Sequence, residues 1–255
     1  DNIPSFVGLA PKRIEISENN QLAYCKNSPY RDSASSEVVL ADLNAGSKET
    51  VQRTDDVTSE WLYECSIFGD TIVWNKYSEP NDDFSFRMAQ YKYSAIYSYD
   101  IPSKKTEALT GSQEFYDNPS LYENHLAMVK LPLTKPGQAS SNAEIALMDL
   151  KTKSIEIVVD ENSAIYLNKI DAAFPMTRSN PQITSRYITW WSTSDRARVY
   201  LYDYYQHTFV QMYDAPVNFD STEIYRLFEN AVILYETKLD DKGDSQSRTF
   251  YVSLE

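Results

Sequence analysis

Ile67-Phe68-Gly69-Asp70-Thr71-Ile72 reads as an apolar residue, a short polar turn and the start of an apolar strand. Gly and Asp tolerate positive φ, so the pair suits a tight hairpin. The arrangement recurs at Ile16-Ser17-Glu18-Asn19-Asn20-Gln21-Leu22, with one extra residue. It recurs again at Leu121-Tyr122-Glu123-Asn124-His125-Leu126, Ile183-Thr184-Ser185-Arg186-Tyr187-Ile188 and Leu227-Phe228-Glu229-Asn230-Ala231-Val232. Five copies of one signature mark a repeat architecture.

A second element follows each hairpin, a short alternating strand that ends in Asp: Val38–Leu43, Ile96–Ile101, Ile145–Leu150 and Val199–Tyr204, with Asp42, Asp100, Asp149 and Asp203. The fifth copy, Phe250–Leu254, has Ser253 in that place. The Asp is expected to accept N–H bonds from the turn after it. An outer strand follows in four copies, at Glu49–Val51, Thr106–Leu109, Ile155–Val158 and Phe209–Met212. Four short strands in about 50 residues match a propeller blade. The reading is therefore an all-β chain, a five-bladed antiparallel β-propeller forming one domain over residues 1–255. The blades fall at 10–53, 58–110, 116–160, 172–213 and 221–255, and residues 3–9 supply the last outer strand and close the ring. A truncated larger propeller is the alternative. No stretch carries apolar residues at helical spacing over three turns, so very little helix is expected.

The pattern of apolar hairpin, strand and aliphatic-aromatic-Asp-aliphatic resembles the WD40-like repeats of TolB-type propellers. The resemblance covers nearly the whole chain. Related propellers occur in bacterial envelope proteins and beside the catalytic domain of prolyl-oligopeptidase enzymes. It implies a fold and, for function, partner binding without a shared catalytic motif. It also implies an extracellular or cell-envelope location, which the acidic composition and a start at Asp1 without Met fit if a targeting segment has been removed or a domain excised. This chain has less Gly in its turns than the family and several longer loops.

The long loops point to a working face. The connections between second and third strands run roughly Asn27–Ser35, Tyr77–Tyr93, Leu131–Asn142, Ser192–Arg196 and Thr237–Ser247, and a further long connection runs Ala164–Asn180. All open on one face of a propeller, whereas the hairpin turns on the other face are short. Long loops are often functional. Aromatic and Arg residues are enriched at binding hot spots, which selects Phe84, Phe86, Arg87, Tyr91, Tyr93, Phe174 and Arg178. The alternative is that these rings fold back and cap the propeller. Trp74 and Trp190 share one repeat position, also held by Tyr24, and are expected to pack between sheets. Trp61 and Trp191 fall outside that register and are candidate exposed rings for stacking on a sugar.

Composition excludes several functions. The net charge of −13 repels phosphate backbones and anionic lipids, so nucleic acid is not an expected partner. No run of eighteen apolar residues spans a membrane. His125 and His207 lie on separate turns and read as surface residues, so no zinc site or catalytic triad is expected. Asp240–Asp244 and Glu79–Asp83 are acidic turns without the ligand spacing of a calcium loop. Glu64 and Glu223, on inner strands, are the carboxylates a five-bladed glycoside hydrolase would use. Cys25 and Cys65 are either small buried hydrophobes or a disulfide. The expectation is a monomeric domain, not an enzyme, without cofactor or metal. It binds a protein or peptide, or alternatively a carbohydrate.

Overall fold

The computed structural model describes residues 15–27, 35–55, 59–80, 91–139, 143–160, 181–193, 197–214, 221–239 and 244–254. These residues are all strand and turn, with no helix. They divide into two compact units, 1–123 with 133–139, and 124–132 with 140–255.

In the first unit, sheet one is β1 (Glu15–Ile16), β2 (Gln21–Asn27), β3 (Ser36–Asp42) and β4 (Ser47–Thr54), antiparallel in that order. Sheet two repeats it with β5 (Glu60–Phe68), β6 (Thr71–Pro80), β7 (Tyr91–Asp100) and β8 (Lys105–Ala108). The unit also holds β9 (Tyr116–Tyr122) and a hairpin of β11 (Leu133–Lys135) and β12 (Gln138–Ala139). In the second unit, β10 (His125–Lys130) pairs with β13 (Glu144–Asp149), and β13 with β14 (Ile155–Val159). Sheet four is β15 (Gln182–Ile183), β16 (Tyr187–Thr193), β17 (Ala197–Asp203) and β18 (Thr208–Asp214). Sheet five is β19 (Ser221–Leu227), β20 (Ala231–Leu239) and β21 (Ser245–Ser253). Residues 3–9 lie outside the described residues.

The repeat acts through identical local bonds. The first apolar residue of a hairpin copy pairs across the turn with the next one: Ile16 with Leu22, Ile67 with Ile72, Ile183 with Ile188 and Leu227 with Val232. In all five copies, the N–H that follows the Asp or Ser position donates to the last carbonyl of the hairpin turn. These bonds are Leu43 to Asn20 (3.0 Å), Ile101 to Asp70 (2.9 Å), Leu150 to Asn124 (2.7 Å), Tyr204 to Arg186 (3.3 Å) and Leu254 to Asn230 (2.9 Å).

The Asp residues cap their turns as expected. Asp42 accepts from the N–H groups of Asn44 and Ala45, Asp100 from Ser103, Asp149 from Lys151 and Thr152, and Asp203 from Tyr205 and Gln206. The backbone bond from Thr152 holds Asp149 below the usual carboxylate range, and the Ser103 hydroxyl bond does the same for Asp100. Four residues after each Asp the backbone turns left-handed, at Gly46, Lys104, Lys153 and His207 (φ 63°, 54°, 59° and 52°). Only the first is Gly, so the chain reaches this conformation with few glycines by accepting local strain at two Lys and one His.

A third bond links neighbouring sheets. In three copies the residue before the hairpin reaches the backbone of the next copy. Glu15 accepts from the Ile67 N–H (3.1 Å) and the Ser66 hydroxyl, Ser66 Oγ accepts from the Leu121 N–H (2.9 Å), and Gln182 Oε1 accepts from the Leu227 N–H (2.7 Å). All are buried, where an unpaired N–H would be costly.

Trp74 and Trp190 are buried, each stacked at 18° on its cross-strand partner, Tyr97 and Tyr200. Cys25 and Cys65 form a disulfide that joins β2 to β5.

Candidate functional site

The site starts with a bulge. Tyr63 pairs with Asn75, yet Cys65 pairs with Trp74, because Glu64 is an extra residue at φ 37°. Neighbouring residues of β6 point to opposite faces, so the bulge puts Trp61 and Tyr63 on one face of sheet two and Cys65 on the other. One face therefore carries the disulfide, Leu62 and Trp74 toward sheet one. The other carries Trp61, Tyr63, Asn75 and Tyr77 toward β9.

Tyr77 is the centre of that second face. Its ring stacks on Tyr91 (5.4 Å, 20°) and lies against Phe115 (5.9 Å) and Tyr63 (6.2 Å). Trp61 stands edge-on to Tyr63 (5.7 Å, 65°) and Tyr91 (6.3 Å, 64°). The Tyr77 hydroxyl donates to Asp117 Oδ1 (2.8 Å). The same oxygen accepts from Asn75 Nδ2 (3.0 Å) and from the Asn118 N–H (3.0 Å), which is offered by a left-handed turn at φ 52°. Asp117 and Asn75 have no exposed surface. The buried carboxylate thus fixes the Tyr77 rotamer, and Tyr77 fixes the rings around it. Trp61 and Tyr63 remain half-buried, so two held rings meet solvent at the end of β5.

The charges of the same ends of sheets one and two are matched internally. Glu37 pairs with Lys26 (3.7 Å) and Arg53 (2.9 Å), Glu60 with Lys76 (2.7 Å), and Glu79 with Lys92 (4.0 Å). The tip of the β11–β12 hairpin rests on Lys92. A Cβ at Gly137, whose φ is +74°, would sit 2.9 Å from Lys92 Cδ. Only Gly allows that approach without displacing the lysine stem.

Several expectations change against this geometry. Tyr91 and Tyr93 are not loop residues: β6 runs on to Pro80 and β7 begins at Tyr91, and both tyrosines are buried in the sheet. Trp61 is packed on Tyr63 and Tyr91 rather than standing alone. Of the chosen residues, the structure brings Trp61 and Tyr91 together. Phe84, Phe86, Arg87, Phe174 and Arg178 lie outside the described residues. Trp191 pairs with Val199 through its backbone, and its side chain is likewise outside them, as is that of Glu223. Glu64 is buried in the bulge. His207 is exposed, whereas His125 is half-buried against Tyr204 (5.5 Å). Asp117 was not singled out from sequence; the one available signal was an Asp in an inner strand beside Asn118-Pro119.

Among the described residues no three His, Cys, Asp or Glu side chains cluster as a metal site, and no helix is long and apolar enough to cross a membrane. Residues 240–243 of the acidic turn lie outside them.

No protein-family model and no curated relative matches the sequence. Solved structures do match. The acylaminoacyl peptidase of Pyrococcus horikoshii is 12% identical with a TM-score of 0.55, over 96% of this chain and 38% of that one. The oligogalacturonate lyase of Vibrio parahaemolyticus is 9% identical with a TM-score of 0.54, over 92% of this chain and 64% of that one. A putative TolB from Agrobacterium tumefaciens is 14% identical with a TM-score of 0.51, over 95% and 76%. At such identities the likeness establishes the fold, an all-β propeller type. The chain spans well under half of the peptidase and just under two thirds of the lyase. Two of these three structures are enzymes, which overturns the expectation of a non-enzyme. That expectation rested on missing local motifs, and the same fold occurs in proteins named as a peptidase and a lyase.

Proposed function

We propose that the chain is a TolB-type, five-bladed propeller whose long-loop face recognises a protein or peptide partner. In this reading residues 3–9 form the outer strand beside β21. The observation that carries the recognition site is the held aromatic group at the end of β5. Trp61 and Tyr63 are half-buried rings whose supports, Tyr77 and Asp117, are locked by hydrogen bonds. Rigid aromatic anchors contribute contact area at low entropic cost, and Tyr and Trp are enriched at hot spots. The Cys25–Cys65 disulfide supports an oxidising, extracellular or envelope location.

A photo-crosslinking residue at position 63, with the purified chain exposed to cell-envelope extract, tests this directly. A discrete protein adduct that disappears in Trp61→Ala is expected, together with silence on a broad glycan array. Array binding lost in Trp61→Ala would make the same rings a carbohydrate platform instead. Absence of both signals would end the proposal for this face. Release of a product from a captured ligand would make the site an enzyme's.

A further inference from the structure

The opposite, short-turn end of sheets four and five holds a second built surface. The hairpin turn of sheet four reads Ser185-Arg186, where the other copies end in Asn20, Asp70, Asn124 and Asn230. The turn after Asp203 reads Tyr204-Tyr205, where the residue in the place of Tyr205 is Asn44, Pro102 or Lys151. Tyr205 is 62% exposed and Phe228, in the turn of sheet five, 46%. Nothing in the repeat requires an aromatic ring at Tyr205.

These turns are held more tightly than a solvated surface needs. The Tyr204 hydroxyl donates to the carbonyls of Thr184 (3.0 Å) and Ser185 (2.7 Å), and its ring lies 4.6 Å from Tyr205. Arg186 Nε donates to Asp203 (2.6 Å), and its guanidinium lies over Tyr187 (5.1 Å). Ser185 donates both its N–H (3.1 Å) and its hydroxyl to Glu229, next to Phe228. The two exposed rings therefore stand on fixed neighbours. The charge balance is one-sided. Arg186 is neutralised by Asp203, whereas among the described residues Glu229 meets the neutral donors of Ser185 and no cation. Glu156, 3.7 Å from His207, adds a second carboxylate beside the Tyr205 turn.

We infer that the short-turn end of sheets four and five docks a protein segment that presents a Lys or Arg beside a bulky apolar side chain. The apolar group packs on Tyr205 and Phe228, and the cation meets Glu229 and the electron-rich ring faces. A chain of net charge −13 attracts such a segment. The inference stands apart from the reading of Trp61.

The test is selection of a phage-displayed random nonapeptide library on the intact chain, followed by titration of the enriched peptides. Enrichment of Lys or Arg next to a large apolar residue is expected. Tyr205→Ala and Phe228→Ala should each weaken binding at least tenfold while lowering the melting temperature by only a few degrees, since both rings are largely exposed. Glu229→Gln should weaken it several-fold and flatten its salt dependence. Trp61→Ala should leave it unchanged. Acidic or absent enrichment, binding indifferent to Tyr205→Ala and Phe228→Ala, or binding lost only in Trp61→Ala would each overturn the inference. The last result would move the peptide to the other site.

Discussion

Sheets one and two meet over Leu62, Cys65, Ile72 and Trp74, whereas sheets four and five meet over Val199, Leu201, Val232 and Leu234. The two middle strands of each sheet keep one register, with the residue after the hairpin turn facing the Asp or Ser position, but the filling differs. Repeat alignment puts Leu234 in the slot that Trp74 holds in sheet two and Trp190 in sheet four. The smaller side chain leaves a void of about 20 Å³, lined by Thr189, Val199, Leu201, Tyr213, Val232, Leu234, Val252 and Leu254. The first core is covalently stapled; the second holds this void and carries a polar clasp at its edge. There Glu236, with no exposed surface, accepts from Tyr213 (2.8 Å) and Arg248 (2.7 Å). A repeat thus specifies where strands pair and leaves open what fills the space between sheets.

The largest expected effect breaks the staple. The disulfide closes a 40-residue separation, for which chain entropy gives about 4 kcal/mol. Urea unfolding of the reduced chain, or of Cys25→Ala with Cys65→Ala, should show a loss of that order. Unchanged stability would mean that the two cores do not differ in the way the staple suggests. Next comes the clasp. Glu236→Ala leaves a cavity and an unpaired Tyr213 hydroxyl, and should cost about 2–3 kcal/mol. It also has a pH signature. Burial, together with the bond to Glu236, pushes the Tyr213 hydroxyl up to about 12 from an ordinary 10. The neutral phenol is the favoured folded form, so its contribution is complete below pH 10 and is lost as pH rises from 10 to about 12. Thermal melts across pH 9–12 should fall more steeply for the parent chain than for Tyr213→Phe. Equal slopes would remove Tyr213 from the clasp.

The hairpins and Asp caps were legible because they depend on residue types within six positions of one another. The Trp74 and Trp190 slots were legible because they sit at a fixed distance from the hairpin. The working site was not. Its geometry depends on the bulge at Glu64, which reverses the facing of Cys65 relative to Tyr63 and has no Gly to announce it. Asp117 contributes through Asn75 and Tyr77, about forty positions away, and no local pattern carries that pairing. Tyr91 and Tyr93 read as loop residues because β6 and β7 outrun the repeat, and Ser78-Glu79-Pro80 looks like a turn when read locally. The left-handed residues Lys104, Lys153 and His207 lay hidden for the same reason: tertiary pairing imposes a conformation their own propensity disfavours.

A smaller effect tests the bond between sheets. Gln182→Ala removes the acceptor of the buried Leu227 N–H, and should cost about 1–2 kcal/mol. Gln182→Met keeps the length of the side chain but removes both the acceptor for Leu227 and the Nε2–H that reaches the Ile224 carbonyl (3.4 Å), and should cost nearly as much. A urea midpoint recovered by Gln182→Met would show that the linkage is packing rather than hydrogen bonding.

The smallest effect asks whether the second core can be made to resemble the first. Val232 occupies the place of Ile72, and both are buried. Val232→Ile adds one methylene to a void that is apolar and of about that size. Burial of a methylene is worth about 0.8 kcal/mol, so a gain in stability of up to that amount is expected. Leu234→Trp would restore the residue of the other two sheets, but the indole far exceeds the space and should destabilise by overpacking. A gain for Val232→Ile with a loss for Leu234→Trp would mean that the backbone has settled around the smaller side chain. A gain for both would mean that the sheets can part to the spacing of the first core, and that the difference lies in side chains alone.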